Sequence, residues 1–351
     1  MMGAATRYAY SNARVQVMKS KLLGNRTMQS MANAKDASSM LSILFQTEYR
    51  KSITEFGGME IKPDLVDFAL SKDLAMSVGR LVRLTPYRNR GITRALVSKW
   101  DLSNVKLALE AKDRGMGYES IARYVIDYGR YNGSAIKEAL KEESVERVFS
   151  RLMVNSPYAG ILGRALEVYR KTKGVSDAIE NIDMGYYTSI GSVIRELQLE
   201  SPISARIVRM DIDRRNILTL IRAKRLDMKF ADIAAKIIPG GSLQEREMEH
   251  MYNSSPSVEA LAEHVRGFNL RESVELYKKN RKLLVFEIGM YNAILAKSVK
   301  SLGHKVLSFA TILAYIYMKD VEIYTIRILL KSRAYGLGKE DVERLMPWKT
   351  T

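Results

Sequence analysis

One twelve-residue stretch occurs three times along the chain. It runs from Asp101 to Lys112, from Asp213 to Lys224 and, more weakly, from Asp320 to Lys331, at offsets of 112 and 107 residues. Asn104 and Asn216 stand three residues after the Asp of the first two copies, and Ile323 stands there in the third. Apolar residues follow at helical spacing: Val105, Ala108 and Leu109, then Ile217, Leu220 and Ile221. The third copy keeps Tyr324 and Ile328 but has Arg327 between them. This spacing makes each copy an amphipathic helix buried along one stripe. A period near 110 residues is too long for an ordinary solenoid repeat, so three copies of a small helical domain are expected.

Composition sets the outer limits. The 351 residues, 46% of them hydrophobic and 27% charged, are those of a globular chain with ample core, not a disordered one. Without cysteine there are no disulfides, zinc knuckles or thiol nucleophiles. No secretory signal is expected, because Met1 to Leu23 lacks a continuous apolar core. The longest apolar run, Leu307 to Met318, is 12 residues and is closed by Lys305 and Lys319. A helix spanning a bilayer needs about 20, so this run reads as a buried core helix and any membrane contact as peripheral. The formal charge of +17 points to an acidic partner, either nucleic acid, an anionic lipid surface or an acidic protein, or else to heavily solvated helix faces.

No alternating strand pattern of useful length occurs, so an all-α fold is expected. After the first copy, Tyr118 to Tyr128 reads as a helix, Asn132-Gly133 as a turn, and helices follow at 134–141, 144–154, 161–169 and 177–190. The second copy repeats the order, with Phe230 to Ile238 answering Tyr118 to Ile126 and Pro239-Gly240-Gly241 answering the turn. The third copy ends too early, at Thr351. Its missing part is expected at the N-terminus, because Thr47-Glu48-Tyr49 is similar to Ser156-Pro157-Tyr158. The expected domains are therefore 1–90 plus 305–351, 91–200 and 201–304, closed into a ring.

Catalytic motifs are missing. His250, His264 and His304 share no metal-ligand spacing. Gly336-Leu-Gly338-Lys339 lacks the leading Gly and the trailing Ser or Thr of a phosphate loop and reads as a turn. The polar repeat positions Asp101, Asn104, Lys112, Asp213, Asn216, Lys224, Asp320 and Lys331 have two readings. In the first, each Asp caps the helix that follows, a contribution of about 1 kcal/mol, and each Asn satisfies backbone groups where helices meet. In the second, they grip a central partner. Arg80, Arg83, Arg88, Arg90 and Arg94 fall in a stretch, Arg80 to Lys99, with six basic residues and no acidic one, and are candidate contact residues. Tyr8, Tyr10, Tyr118 and Tyr277 sit at helical positions that suggest packing, so the signal for nucleic acid is weak.

Several segments together resemble one family. Tyr10-Ser-Asn-Ala-Arg14-Val15, Trp100-Asp101-x-x-Asn104, Asp213-x-x-Asn216, Ile238-Pro239-Gly240-Gly241 and Glu322-Ile323-x-x-Ile326-Arg327 are similar to the C subunit of archaeal and bacterial V-type (A-type) rotary ATPases, whose eukaryotic relative is the d subunit. Membership implies a funnel of three pseudo-symmetric helical domains without an active site or cofactor. It also implies a place in the central stalk, on the cytoplasmic side of the membrane, between the axle of the D and F subunits and the proteolipid ring. There it would pass torque indirectly to the catalytic head of A and B subunits during proton or sodium transport and ATP synthesis or hydrolysis, with no nucleic acid expected. Ile323 in place of Asn, and the absence of Trp from the second and third copies, depart from exact symmetry. The competing reading from the residues is a basic helical-repeat protein that binds nucleic acid.

Overall fold

The computed structural model describes residues 4–57, 63–304 and 307–334, and among them it contains helices, turns and no strand. Gly336 to Lys339 and the side chains of His304 and Lys331 lie outside the described set. The chain divides into two compact units, Met1–Met40 with Gly191–Thr351, and Leu41–Ile190.

The helices come in a recurring order. The first set is α1 (Ala4–Lys19), α2 (Asn25–Asn33), α3 (Ala37–Leu44), α4 (Arg50–Gly57), α5 (Pro63–Leu84) and α6 (Arg90–Asp113). The second set is α7 (Tyr118–Ile121), α8 (Gly133–Ala139), α9 (Val145–Met153), α10 (Ala159–Thr172), α11 (Val175–Glu200) and α12 (Pro202–Arg225). The third is α13 (Phe230–Ile233), α14 (Glu245–Ser254), α15 (Val258–His264), α16 (Arg271–Asn280), α17 (Leu284–His304) and α18 (Phe309–Ala334). Each set ends in a pair of long helices joined by a short link.

Local chemistry repeats with the same order. Helices α3, α9 and α15 are each started by a short polar side chain: Asp36 Oδ1 accepts from Ser39 N, Ser144 Oγ from Arg147 N and Ser257 Oγ from Ala260 N. Each bond satisfies one of the amides that a helix start leaves unpaired. Before α4 and α10, Tyr49 N donates to Thr47 Oγ1 and Tyr158 N to Ser156 Oγ, so the Thr47 and Ser156 segments make the same turn. Helices α10 and α16 both close on a left-handed residue, Lys173 and Arg281.

Helices α6 and α12 end alike. Gly115 N donates to Lys112 O and Met116 N to Ala111 O; Asp227 N donates to Lys224 O and Met228 N to Ala223 O. This is a Schellman closure, in which the residue after the cap must be left-handed. Gly115 has φ +67° and Asp227 has φ +54°.

In the unit of residues 41–190, α6 is packed by α5, α7, α8 and α9. Val105, Ala108 and Leu109 are fully buried. In the other unit, α12, α17, α18, α1 and α2 pack together. Helix α18 is buried almost all round, from Phe309 to Leu330, as its apolar run predicts. Tyr8 and Tyr277 are buried, but Tyr10 is 68% exposed and does not pack as expected.

One expected element is absent. Tyr118 to Tyr128 is a single helical turn, Tyr118–Ile121, then a 3₁₀ turn, Ala122–Tyr124, and then extended chain; Phe230–Ile233 and Ala234–Lys236 do the same. The apolar pattern suits a helix, but the backbone of Ile126 and Ile238 is hydrogen-bonded to asparagine side chains from another helix instead. In contrast, α11 runs on to Glu200, ten residues beyond the expected end at Ile190.

The closures of α6 and α12 give a direct check. Asp227→Gly should raise the unfolding free energy by roughly 0.5–1 kcal/mol, and Gly115→Ala should lower it by about 1 kcal/mol, because only glycine enters the left-handed region without a Cβ clash. Urea denaturation of the full chain measures both.

Candidate functional site: a recurring polar lock and a basic strip

Asp101 and Asp213 do not start helices. Both lie in the middle of one, in α6 and α12, where no free amide of their own helix is within reach. The capping expectation fails for this reason, and their acceptors serve another segment. Arg130 N donates to Asp101 Oδ2 (3.1 Å) and Tyr131 N to Oδ1 (2.6 Å). In the next repeat Ser242 N donates to Asp213 Oδ2 (3.0 Å) and Leu243 N to Oδ1 (3.1 Å). Both carboxylates are buried, and a Cβ at Gly129 or Gly241 would collide with them. Glycine at these two places lets the backbone approach.

One helical turn further on, Asn104 and Asn216 complete the lock. Asn104 Nδ2 donates to Ile126 O (2.7 Å) and Tyr131 O (2.8 Å), while Ile126 N donates to Asn104 Oδ1 (2.9 Å). Asn216 Nδ2 donates to Ile238 O and receives Ile238 N, each at 2.9 Å. An amide side chain both donates and accepts, so it can replace the backbone partners of an extended residue. Lys112 and Lys224 stand at the same repeat position: Lys112 Nζ reaches Leu140 O (3.5 Å), and Lys224 Nζ sits 3.8 Å from the Tyr252 ring centroid.

The third copy is shifted by one residue. Asp320 is half-buried, and Ile323 is apolar core. The acceptor role falls to Glu322, whose Oε2 receives Leu23 N and whose Oε1 receives Lys319 Nζ (2.7 Å). Glu322 is 0% exposed and Lys319 is 5% exposed. Lys319 and Glu322 keep the i, i+3 spacing of Asp101 and Asn104, with an ion pair in place of two neutral-backbone contacts. The sequence signal for this was a Lys and a Glu inside a helix that is apolar on every face.

Sequence reading also missed a second buried charge group. Arg214 Nε donates to Asp211 Oδ1 (2.9 Å), and Arg214 Nη1 lies 4.0 Å from Glu287 Oε1. The guanidinium sits 4.3 Å from the Tyr291 ring centroid, and Tyr317 OH donates to Asp211 Oδ2 (3.4 Å). This joins α12, α17 and α18 through charges that would be costly if any one partner were lost.

The basic strip sits at the α5–α6 turn. Arg80, Arg83, Arg88 and Arg94 are exposed. Arg90 differs, since its Nε donates to Thr85 O and its Nη2 to Arg83 O, both at 3.1 Å. It therefore braces the turn, and four arginines remain available for a partner. Among the described residues, no cluster of three His, Asp or Glu could hold a metal ion, and no helix is long and apolar enough to cross a membrane.

Burial pushes the Asp101 and Asp213 carboxyls above the ordinary carboxylate range, and the two amides on each pull back only part of that shift. Burial likewise raises the Tyr131 hydroxyl to about 12. Because the folded carboxyls hold protons more tightly than the unfolded ones, their contribution to stability is greatest below the unfolded value and falls as pH rises through the folded one. The stability deficit of an Asp101→Asn, Asp213→Asn variant relative to the parent should therefore grow as pH is lowered from ~7 to ~4. A deficit that shrinks would mean the amide bonds, not burial, dominate. Asn104→Ala strands a buried amide and carbonyl and should cost about 2–4 kcal/mol, read from the shift in urea midpoint.

Comparison with known proteins matches this architecture to one family. The model of the ATP synthase (C/AC39) subunit family matches residues 11–345. The A-type ATP synthase C subunit of Thermoplasma acidophilum is 23% identical over 97% of this chain and 98% of its own length. The proteins of the same name from Thermococcus gammatolerans and Thermococcus onnurineus are 27% and 26% identical, each over 97% of this chain and 90% of their own. With nearly the whole chain matched, the protein belongs to the ATP synthase (C/AC39) subunit family.

Proposed function

We propose that the protein is the non-catalytic central-stalk subunit of an A/V-type rotary ATP synthase, seated between the axle of the D and F subunits and the proteolipid ring on the cytoplasmic face of the membrane. The observation that carries this reading is the full-length family match, joined to a fold whose repeats are each braced by buried polar contacts. A part that only passes torque needs stiffness and broad interfaces, not a reaction centre. Moving one charge across 100 mV supplies roughly 2.3 kcal/mol, and several such steps can be stored before one catalytic event. A single exposed ion pair resists about 0–1 kcal/mol. Each interface therefore needs an area of the standard ~1,600 Å² or more.

The three-domain division, 1–90 plus 305–351, 91–200 and 201–304, belongs to the same proposal. The bond from Leu23 N to Glu322 and that from Asn12 Nδ2 to Ser308 O (3.3 Å) support the joining of first and last segments. The recurring order of helices supports a three-fold, funnel-like ring around an axle. The exposed Arg80, Arg83, Arg88 and Arg94 are the proposed contacts to an acidic partner protein or the anionic membrane surface.

Affinity purification of the tagged full chain from gently solubilised membranes should recover the axle proteins and the proteolipid ring with one copy of this chain. Reversing Arg80, Arg83, Arg88 and Arg94 to Glu should weaken that recovery, most at low salt. Recovery of nucleic acid alone, with a steep salt dependence of binding, would favour the nucleic-acid reading instead.

A further inference from the structure

The unit formed by residues 1–40 and 191–351 holds a cavity of about 890 Å³ that borders the Asp213 lock at Gly241 and Ser242, but whose arginines neither the locks nor the proposed assembly uses. Its wall carries three arginines, Arg195, Arg206 and Arg209, and three glycines, Gly191, Gly240 and Gly241. No acidic residue lines it. None of the three guanidinium groups is engaged in an ion pair or a hydrogen bond within the described residues. Elsewhere in the same unit, Arg214 is fully paired. The space is of the size that small-molecule ligands fill.

The repeat supplies an internal control. In the unit of residues 41–190, the corresponding cavity lies 112 residues earlier, so that Gly79 answers Gly191, Arg83 answers Arg195 and Tyr128 answers Gly240. There the Tyr128 ring closes on Gly79 and Asp127 supplies a carboxylate. In the later repeat the tyrosine has become Gly240 and the aspartate Pro239. Arg94 is matched by Arg206, and the place of Val97 is taken by Arg209. One ring and one negative charge have gone, and the Lys72, Arg80, Arg83 and Lys137 of the earlier cavity give way to three arginines. The result is an open space whose charged side chains are all arginines, with Gly191 and Gly240 in its wall leaving backbone accessible to an anion with several oxygens.

We propose that the Arg195–Arg206–Arg209 cavity binds a small molecule carrying two or more phosphate groups, such as a nucleoside diphosphate. Three guanidinium forks match several phosphate oxygens, and Ile194, Pro202 and Ile203 offer an apolar wall to the remainder of the ligand. This site does not depend on the role in a central stalk.

The test is calorimetric titration of the full chain with inorganic pyrophosphate and, separately, with ADP, without added metal. Saturable binding of one equivalent is expected. Arg206→Gln with Arg209→Gln should weaken it roughly tenfold or more. Gly191→Leu, which narrows the cavity while leaving all three arginines, should weaken it as much; Cβ at that position meets nothing within 4 Å, and a thermal melt matching the parent's checks that the variant folds. Arg83→Gln, in the counterpart cavity, should leave binding unchanged. Absence of saturable binding at millimolar pyrophosphate and ADP overturns the proposal. So does binding that survives Gly191→Leu, since the arginines would then act as an open surface. Binding to phosphatidylglycerol vesicles without binding to pyrophosphate overturns it too, in favour of a lipid headgroup.

Discussion

A carboxylate set in the middle of a helix has no helix end to cap, so its two oxygens must be used by another segment or cost the fold their burial. Asp101 and Asp213 meet this condition by accepting two successive amides from a segment 29 and 30 residues further along. The asparagines one turn later fix that segment a second time, 22 residues away. Everything between is thereby confined to a short helical turn, a 3₁₀ turn and a stretch of extended chain pressed on the long helix. The glycines at 129 and 241 follow from the same requirement, because any side chain would occupy the carboxylate's place.

Hydrophobic burial alone would hold these helices together, but it is non-directional and lets surfaces slide. The buried polar contacts are directional and fail abruptly when displaced by an ångström or so. Lys319 with Glu322, and Arg214 with Asp211 and Glu287, extend this to the contacts of α18 with the N-terminal segment and of α12 with α17. Their net contribution to stability is modest once desolvation is counted, and what they add is the specification of one arrangement of the helices. For a part proposed to carry load between two partners, resistance to slippage matters more than total unfolding free energy.

Much of this was legible in the sequence. The spacing of Asp101 with Asn104 and of Asp213 with Asn216 marked the repeat, and the 3, 4, 7 pattern of Val105, Ala108 and Leu109 marked the buried stripe. The all-α reading followed from the lack of any alternating strand pattern. What the sequence concealed was the reach of the side chains. An Asp ahead of an apolar run looks like a cap, and only the helix start at Arg90 shows that Asp101 belongs to its interior. Tyr118 to Tyr128 has helical periodicity, yet tertiary hydrogen bonds from Asn104 outcompete its own. In the third copy the visible Asp320 drew the register one residue away from Glu322, because a glutamate does not look like an asparagine even where it accepts the same kind of amide.

The three locks also differ in how far apart their halves lie along the chain. Those of Asp101 and Asp213 join residues about thirty apart, whereas Glu322 and Leu23 are separated by 299. Closing a loop ten times longer costs about 2 kcal/mol more in chain entropy. During synthesis Leu23 must also wait for 299 further residues to emerge before its partner exists. The protein thus carries an order of maturation: two locks able to close as their segments are made, and a third that forms only once Leu23 and Glu322 are both present.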